Sequence, residues 1–174
     1  MAKTPLSPAA WIEAGLDQLT ALGQSALQAE PLSRHLKTSK GSFYWHFKDV
    51  PAFQAALLAE WKSNALAKLN NDAAAEGSST DKLIRFGQSV QGDLQGPALR
   101  AWALNDAEAA SALAEVDAAR MERLCSLLAD IGITNDDFAK AAYGSLVGLQ
   151  QMHMDDGDAL VAYATLVDLV LALE

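Results

Sequence analysis

Apolar residues recur every three or four positions along most of this chain, a spacing that predicts helices. Near the start, Ile12, Leu16 and Leu19 form one such stripe. Ser7 offers a capping hydroxyl, Pro8 suits the first helical position, and Gly23 can close the segment. Two short helices are predicted next, at about 29–36 and 40–46, with Lys37-Thr38 leaving only enough chain for a sharp corner between them. Leu32, Leu36, Phe43 and Phe47 supply the surface that the first stripe needs. A three-helix head over residues 1–48 follows, ahead of a helical body over residues 49–174.

Val50-Pro51 starts a longer helix, predicted over 50–69, that carries Phe53, Leu57, Leu58, Trp61, Leu66 and Leu69. Its early turns suit the head and its later turns the body, which makes it the mechanical link. The small, polar stretch from Asn70 to Thr80 is expected to be a loop, with Ser79 or Thr80 capping a helix over 81–91. After a break at Gly92, Gly96 and Pro97, helices are predicted at 98–104, at 107–131 ending on Gly132, at 136–154 and at 158–173. The last is almost wholly apolar apart from Asp168. No internal repeat is evident.

Composition agrees with an all-α protein. Of the 174 residues 51% are apolar, alanine and leucine dominate, and runs of Val, Ile and Thr are scarce. No apolar run has the length of a membrane span and the N-terminus lacks a secretory pattern, so a soluble, cytoplasmic protein is expected. The single cysteine, Cys125, excludes an internal disulfide and a multi-cysteine metal site. Charge is unevenly spread. Residues 1–48 hold Lys3, Arg34, Lys37, Lys40 and Lys48 against Glu13, Asp17 and Glu30, a balance of +2, so the remainder of a chain of net charge −9 carries −11. Between Pro31 and Lys48 there are four cations and no carboxylate. A modest basic patch on an acidic body fits a protein that touches nucleic acid only at its head.

The chemistry in that patch lies between Ser39 and Lys48. Lys40 and Lys48 can neutralise phosphates, Ser39, Ser42 and Tyr44 offer hydroxyl donors, and Gly41 allows close approach. An ordinary amphipathic helix has no need of Phe43, Tyr44, Trp45, His46 and Phe47 in succession. The run resembles the recognition-helix signature of the TetR family of bacterial repressors, Ser-x-Gly-(Ser/Thr)-x-Tyr-x-His-Phe, and the resemblance is specific from about Ser7 to Trp61. It implies a helix-turn-helix head of about residues 5–65, with Ser39, Lys40, Gly41, Ser42 and Tyr44 at the DNA surface and Gln28 and Ala29 near phosphates. Lys37, Thr38, Trp45 and Lys48 complete the expected DNA-binding set, Trp45 either flanking the backbone or wedging against the next helix. On the same reading His46 packs at the end of the recognition helix. Two positions depart from the family pattern. Lys37 stands where glycine is usual, so the corner either avoids a left-handed residue or accepts a strain of about 1 kcal/mol. Val50 stands where a lysine is usual, which removes one phosphate contact.

In the body, Trp61, Phe86, Leu99, Trp102, Met121, Phe138, Tyr143 and Gln150 suit either the lining of a pocket for a small, mainly apolar effector or a filled helical core. Leu160, Leu166, Val167, Val170 and Leu171 make more apolar surface than one subunit covers, which predicts a homodimer held by the last two helices. The acidic segment from Met152 to Asp158 lacks calcium-loop spacing and fits a capped helix junction. No catalytic residue, cofactor or metal site is predicted. The expected protein is therefore a repressor that binds a near-palindromic double-stranded operator and is released by an effector. A dimeric helical module that binds a protein partner, and a small helical enzyme, are the alternatives.

Overall fold

The helix termini carry the plainest local chemistry. The computed structural model describes residues 6–152 and 156–172, and among these it places nine α-helices, one 3-10 turn and no strand. In order these are α1 (Pro8–Leu22), the turn (Gln24–Ala26), α2 (Ala29–His35), α3 (Lys40–His46), α4 (Val50–Ala74), α5 (Ser79–Gln91), α6 (Gly96–Ala103), α7 (Ala107–Ala129), α8 (Asp136–Gln151) and α9 (Asp156–Leu171). His153, Met154 and Asp155, which belong to the acidic junction, lie outside the described residues, as do Lys3 and the side chains of Val170 and Leu171. No helix among the described residues is long and apolar enough to cross a membrane.

Contacts gather into two units. One holds the residues up to Asn64 together with Gln95–Ala114, and the other holds Ala65–Leu94 together with the residues from Glu115 onward. Helices α4 and α7 each contribute to both. The first unit therefore contains more than the predicted head, because α6 packs on α1.

Phe43 is the centre of the first unit. It is wholly buried, with its ring 5.3 Å from Trp11, 5.3 Å from Phe53 and 5.4 Å from Phe47. The first two are edge contacts, the arrangement that aromatic quadrupoles favour. The inward face of α1 is Trp11, Ala14, Gly15 and Leu19, while Ile12 and Leu16 of the expected stripe are half-buried. Gly15 explains the rotation. A Cβ there would lie 2.6 Å from a Leu57 methyl and 2.7 Å from the Phe53 ring, so the missing side chain lets α4 seat against α1.

Capping follows the sequence at both ends of α1. Ser7 caps α1 by accepting from the Ala10 N–H at 3.2 Å, and Gly23 closes that helix through its N–H to the Leu19 carbonyl at 2.9 Å. Several ends are displaced by two or three residues, with α6 starting at Gly96, α7 ending at Ala129, α8 ending at Gln151 and α9 starting at Asp156, and two further termini differ in kind. Helix α5 is capped by Ser78 in a reciprocal box with Asp81, rather than by Ser79 or Thr80. Helix α4 runs on through Asn70, Asn71 and Asp72 to Ala74. Each polar residue there costs only about 0.7 kcal/mol relative to alanine, and no glycine or proline interrupts the helix before Gly77 at φ 137°.

The core of the second unit joins Leu83, Phe86 and Val90 of α5 to Leu124, Leu127 and Leu128 of α7, Ala142, Tyr143 and Leu146 of α8, and Tyr163 and Val167 of α9. Polar bonds sew these helices together. Gln91 donates its amide to the Leu146 carbonyl at 2.7 Å, and Gln150 donates to the carbonyls of Val90 at 3.1 Å and Asp93 at 2.8 Å. The Arg120–Asp93 ion pair is 2.7 Å long with both side chains 8% exposed. Removing one member would strand a buried charge.

The corner between α2 and α3 resolves the question raised by Lys37. Its φ is 52°, the left-handed region, and it is the one non-glycine residue there among the described residues. The Thr38 N–H reaches back to the Ser33 carbonyl at 2.9 Å and the Lys37 N–H to the Arg34 carbonyl at 3.2 Å, the paired bonds of a Schellman cap. The corner thus keeps the geometry for which glycine is suited, and it accepts the strain of a side chain. Lys37→Gly should relieve that strain and stabilise the protein by up to about 1 kcal/mol. Urea unfolding of the two proteins measures this, and an unchanged or lower midpoint would show that Lys37 makes contacts worth as much as the strain.

Candidate nucleic-acid interface

Helix α3 is positioned by what it buries. Ser39 caps it, its hydroxyl accepting from the Ser42 N–H at 3.3 Å, and Phe43 and Phe47 pin its inner side to the core. Because successive helical residues turn through about 100°, the intervening positions face solvent. Lys40, Gly41, Tyr44 and Trp45 are all exposed, Tyr44 by 52% and Trp45 by 80%. Lys48, just beyond the helix, is exposed as well, and Ser42 is half-buried.

Trp45 stands edge-on to His46 at 5.1 Å and does not wedge against α4. His46 is half-buried, its ring 6.3 Å from Phe47. Of the remaining expected contacts, Gln28, Lys37 and Ser39 are exposed and Thr38 is half-buried. Ala29 is the exception. The residue is 5% exposed and its methyl group belongs to the core, which leaves little of it open to a ligand.

A concavity of about 410 Å³ brings Gln28, Ala29, Glu30, Pro31, Arg34, Lys40, Tyr44 and Val50 together. Four of these, Gln28, Ala29, Lys40 and Tyr44, were expected at a DNA surface, and Val50 shows that the position where a lysine is usual does lie beside them. Glu30 was not expected. Its carboxylate is 2.7 Å from the Lys40 ammonium and 3.6 Å from the Arg34 guanidinium. The hydrogen bond and charge of Lys40, and then the charge of Arg34, hold the Glu30 carboxyl below the usual carboxylate range. The patch is therefore less basic than its cations suggest. A charge count that starts at Pro31 misses Glu30 by one residue, and a salt bridge from α2 to α3 leaves no periodic signal in sequence.

The body residues proposed to line a pocket divide between the units. Trp61, Leu99 and Trp102 lie in the first and are buried. Phe86, Met121, Phe138, Tyr143 and Gln150 lie in the second, where the Phe86 and Tyr143 rings meet at 6.5 Å and Met121 and Phe138 pack at the edge of the core. The polar atoms of Tyr143 and Gln150 are engaged internally. Tyr143 donates its hydroxyl to Asp117 at 2.7 Å, and burial together with that carboxylate pushes its pKa up to about 12. The Gln150 amide holds α8 to the end of α5.

No family model matches the sequence, and no curated protein matches it either. Solved structures do. One described as a TetR-family transcriptional regulator from Rhodococcus sp. superposes with a TM-score of 0.76 at 20% identity, covering 94% of this chain and 98% of that one. A second, described as a transcriptional regulator of the TetR/AcrR family, gives 0.79 at 18% identity over 94% and 97%. A third, a transcriptional regulator from Aquifex aeolicus VF5, gives 0.74 at 13% identity over 94% and 98%. The fold is that of the TetR/AcrR regulators. In this fold α2 and α3 are joined through the Lys37 corner, and the structural neighbours are described as transcriptional regulators.

Gly41 is informative because nothing inside the protein requires it. A Cβ at this position would meet only the Ser39 hydroxyl, at 3.6 Å, in contrast to the crowded Gly15. Gly41→Ala should therefore stabilise the protein by a few tenths to about 1 kcal/mol through helix propensity alone. Thermal and urea unfolding test this, and a loss of stability would mean that the head itself needs the glycine.

Proposed function

We propose that this protein is a DNA-binding transcriptional regulator, a homodimeric repressor that presents α3 to the major groove of a near-palindromic operator. The observation that carries the reading is the outward face of α3, where Trp45 and Tyr44 stand exposed among Lys40, Ser39 and Lys48 on a helix held rigidly by buried Phe43. Large aromatic side chains in water gain by being covered, and hydroxyls and ammonium groups around them suit a phosphate backbone. An inward-facing Gly41 has no task, whereas an outward-facing one lets the helix backbone come close to a groove wall. The Gly41→Ala variant should accordingly be better folded and bind DNA worse.

Dimerisation by α8 and α9 is supported by their outer surfaces. Val161 is 66% exposed and Leu169 60%, while Cβ positions at Gly144 and Gly148 of α8 meet nothing within 4 Å. Leu160 and Leu166 are half-buried and Val167 is buried, so they serve the subunit's own core and the free apolar surface lies at the neighbouring positions. Two such faces related by a two-fold axis would set the half-site spacing.

An apolar effector bound in the body completes the reading. It requires different affinities in the DNA-competent and DNA-incompetent arrangements, since a ligand that binds both equally shifts nothing. Helix α4, continuous from the head into the second unit, is the natural carrier of that coupling.

The test is selection of genomic DNA fragments by the purified protein at two salt concentrations. Recovery of a few fragments sharing an inverted repeat, with affinity falling as salt rises, is the expected result. A Val161→Asp, Leu169→Asp variant should sediment as a monomer and lose the repeat. Recovery of no preferred fragment by a folded wild-type protein would remove the regulator reading in favour of a protein-binding module or an enzyme.

A further inference from the structure

The concavity beside α3 contains its own anion. Lys40, the cation best placed on the outward face of the recognition helix, has its ammonium 2.7 Å from one Glu30 oxygen, and Arg34 reaches the other at 3.6 Å. All three side chains are exposed, by 56%, 60% and 77% for Lys40, Glu30 and Arg34. An ion pair so open to water is weak, and an incoming phosphate oxygen can take over the ammonium. The displaced carboxylate stays in the neighbourhood, because Glu30 is anchored in the first turn of α2 and lines the same concavity. A DNA phosphate that engages Lys40 is therefore held close to a negative charge.

We propose that Glu30 is a built-in competitor for the DNA backbone, occupying the Lys40 ammonium in the free protein and repelling the phosphate that replaces it. This rests on the DNA-binding reading above and adds to it a residue that sets affinity by opposition. Its effect falls on every DNA sequence alike, because phosphates carry no base identity. Glu30 thus holds down non-sequence-specific binding by an already acidic protein, and leaves discrimination to the groove-facing side chains of α3.

The counterion balance gives a signature beyond affinity. Each phosphate neutralised by a protein cation releases condensed counterions and contributes roughly 0.9 to the slope of log affinity against log salt. In the wild type, the exposed Glu30 carboxylate gathers a solution cation when Lys40 leaves it, which cancels part of that release. Glu30→Gln keeps the size and hydrogen-bonding capacity of the side chain and removes the charge.

Duplex binding should be measured by titration across a salt series, with a fragment selected by the wild type and with a random-sequence duplex. Glu30→Gln should bind both several-fold more tightly at low salt, with a slope steeper by up to about 0.9. Glu30→Ala should shift in the same direction, and matched circular dichroism spectra establish that both variants are folded. In a Lys40→Met background the gain from Glu30→Gln should shrink to the part that passes through Arg34. Weaker binding by folded Glu30→Gln would show that Glu30 orients Lys40 toward DNA, and equal binding with an equal slope would show that it does neither; both overturn the proposal while leaving the regulator intact. Absence of DNA binding by the wild type and by the charge-removed variants would instead remove both readings together.

Discussion

Burial of Phe43 decides what α3 can offer to a partner. With that ring enclosed by Trp11, Phe47 and Phe53, a seven-residue helix has no freedom to roll. Fixing one residue of a helix inward fixes the direction of its neighbours. Tyr44 and Trp45 are carried outward by the same constraint that carries Phe47 inward, and Lys40 and Gly41 share the outer side. The core and the candidate interface are thus two faces of one helix. Gly15 belongs to this constraint although it is far from α3 in sequence, since it admits Phe53 and Leu57 to the cluster.

Much of this was legible in the sequence, because the chemistry involved is local. Helix ends announced by Ser7, Gly23 and Gly132 depend on one side chain or one permissive backbone, and the Ser39 to Lys48 run states both its anchors and its exposed groups. The TetR fold seen in the structural neighbours has the helical architecture that this run implied. Other features were illegible for identifiable reasons. The rotation of α1 toward Trp11 and Gly15 depends on the size of what faces it, which apolar periodicity does not record. The extension of α4 through Asn70 and Asn71 reflects the small cost of polar residues in a helix without a breaker. The Glu30–Lys40 pair is a contact between two helices, and neither its distance nor its partner follows from spacing along one of them.

Electrostatics differ in kind between the two units. In the first, the groups around α3 are exposed, so their pairings exchange readily with water, ions or phosphate. In the second, Arg120 and Asp93 are paired out of water and Tyr143 is held protonated by burial and by Asp117. Those bonds fix the arrangement of α5, α7 and α8, and a ligand entering among them would have to replace each one it broke. The predicted effector residues Tyr143 and Gln150 therefore have structural duties whatever else they do.

The central claim is that the outward face of α3 is the surface that meets DNA, and the tryptophans allow it to be tested in one measurement. Trp11, Trp61 and Trp102 are buried to 0%, 3% and 3% exposure, whereas Trp45 is 80% exposed. Quenching of tryptophan fluorescence by acrylamide should therefore contain one steep component, from Trp45, that is missing in Trp45→Phe. Saturation with a DNA fragment selected by the protein should remove that component and leave the shallow one unchanged. Persistence of the steep component in the saturated complex would place the DNA elsewhere and contradict the account.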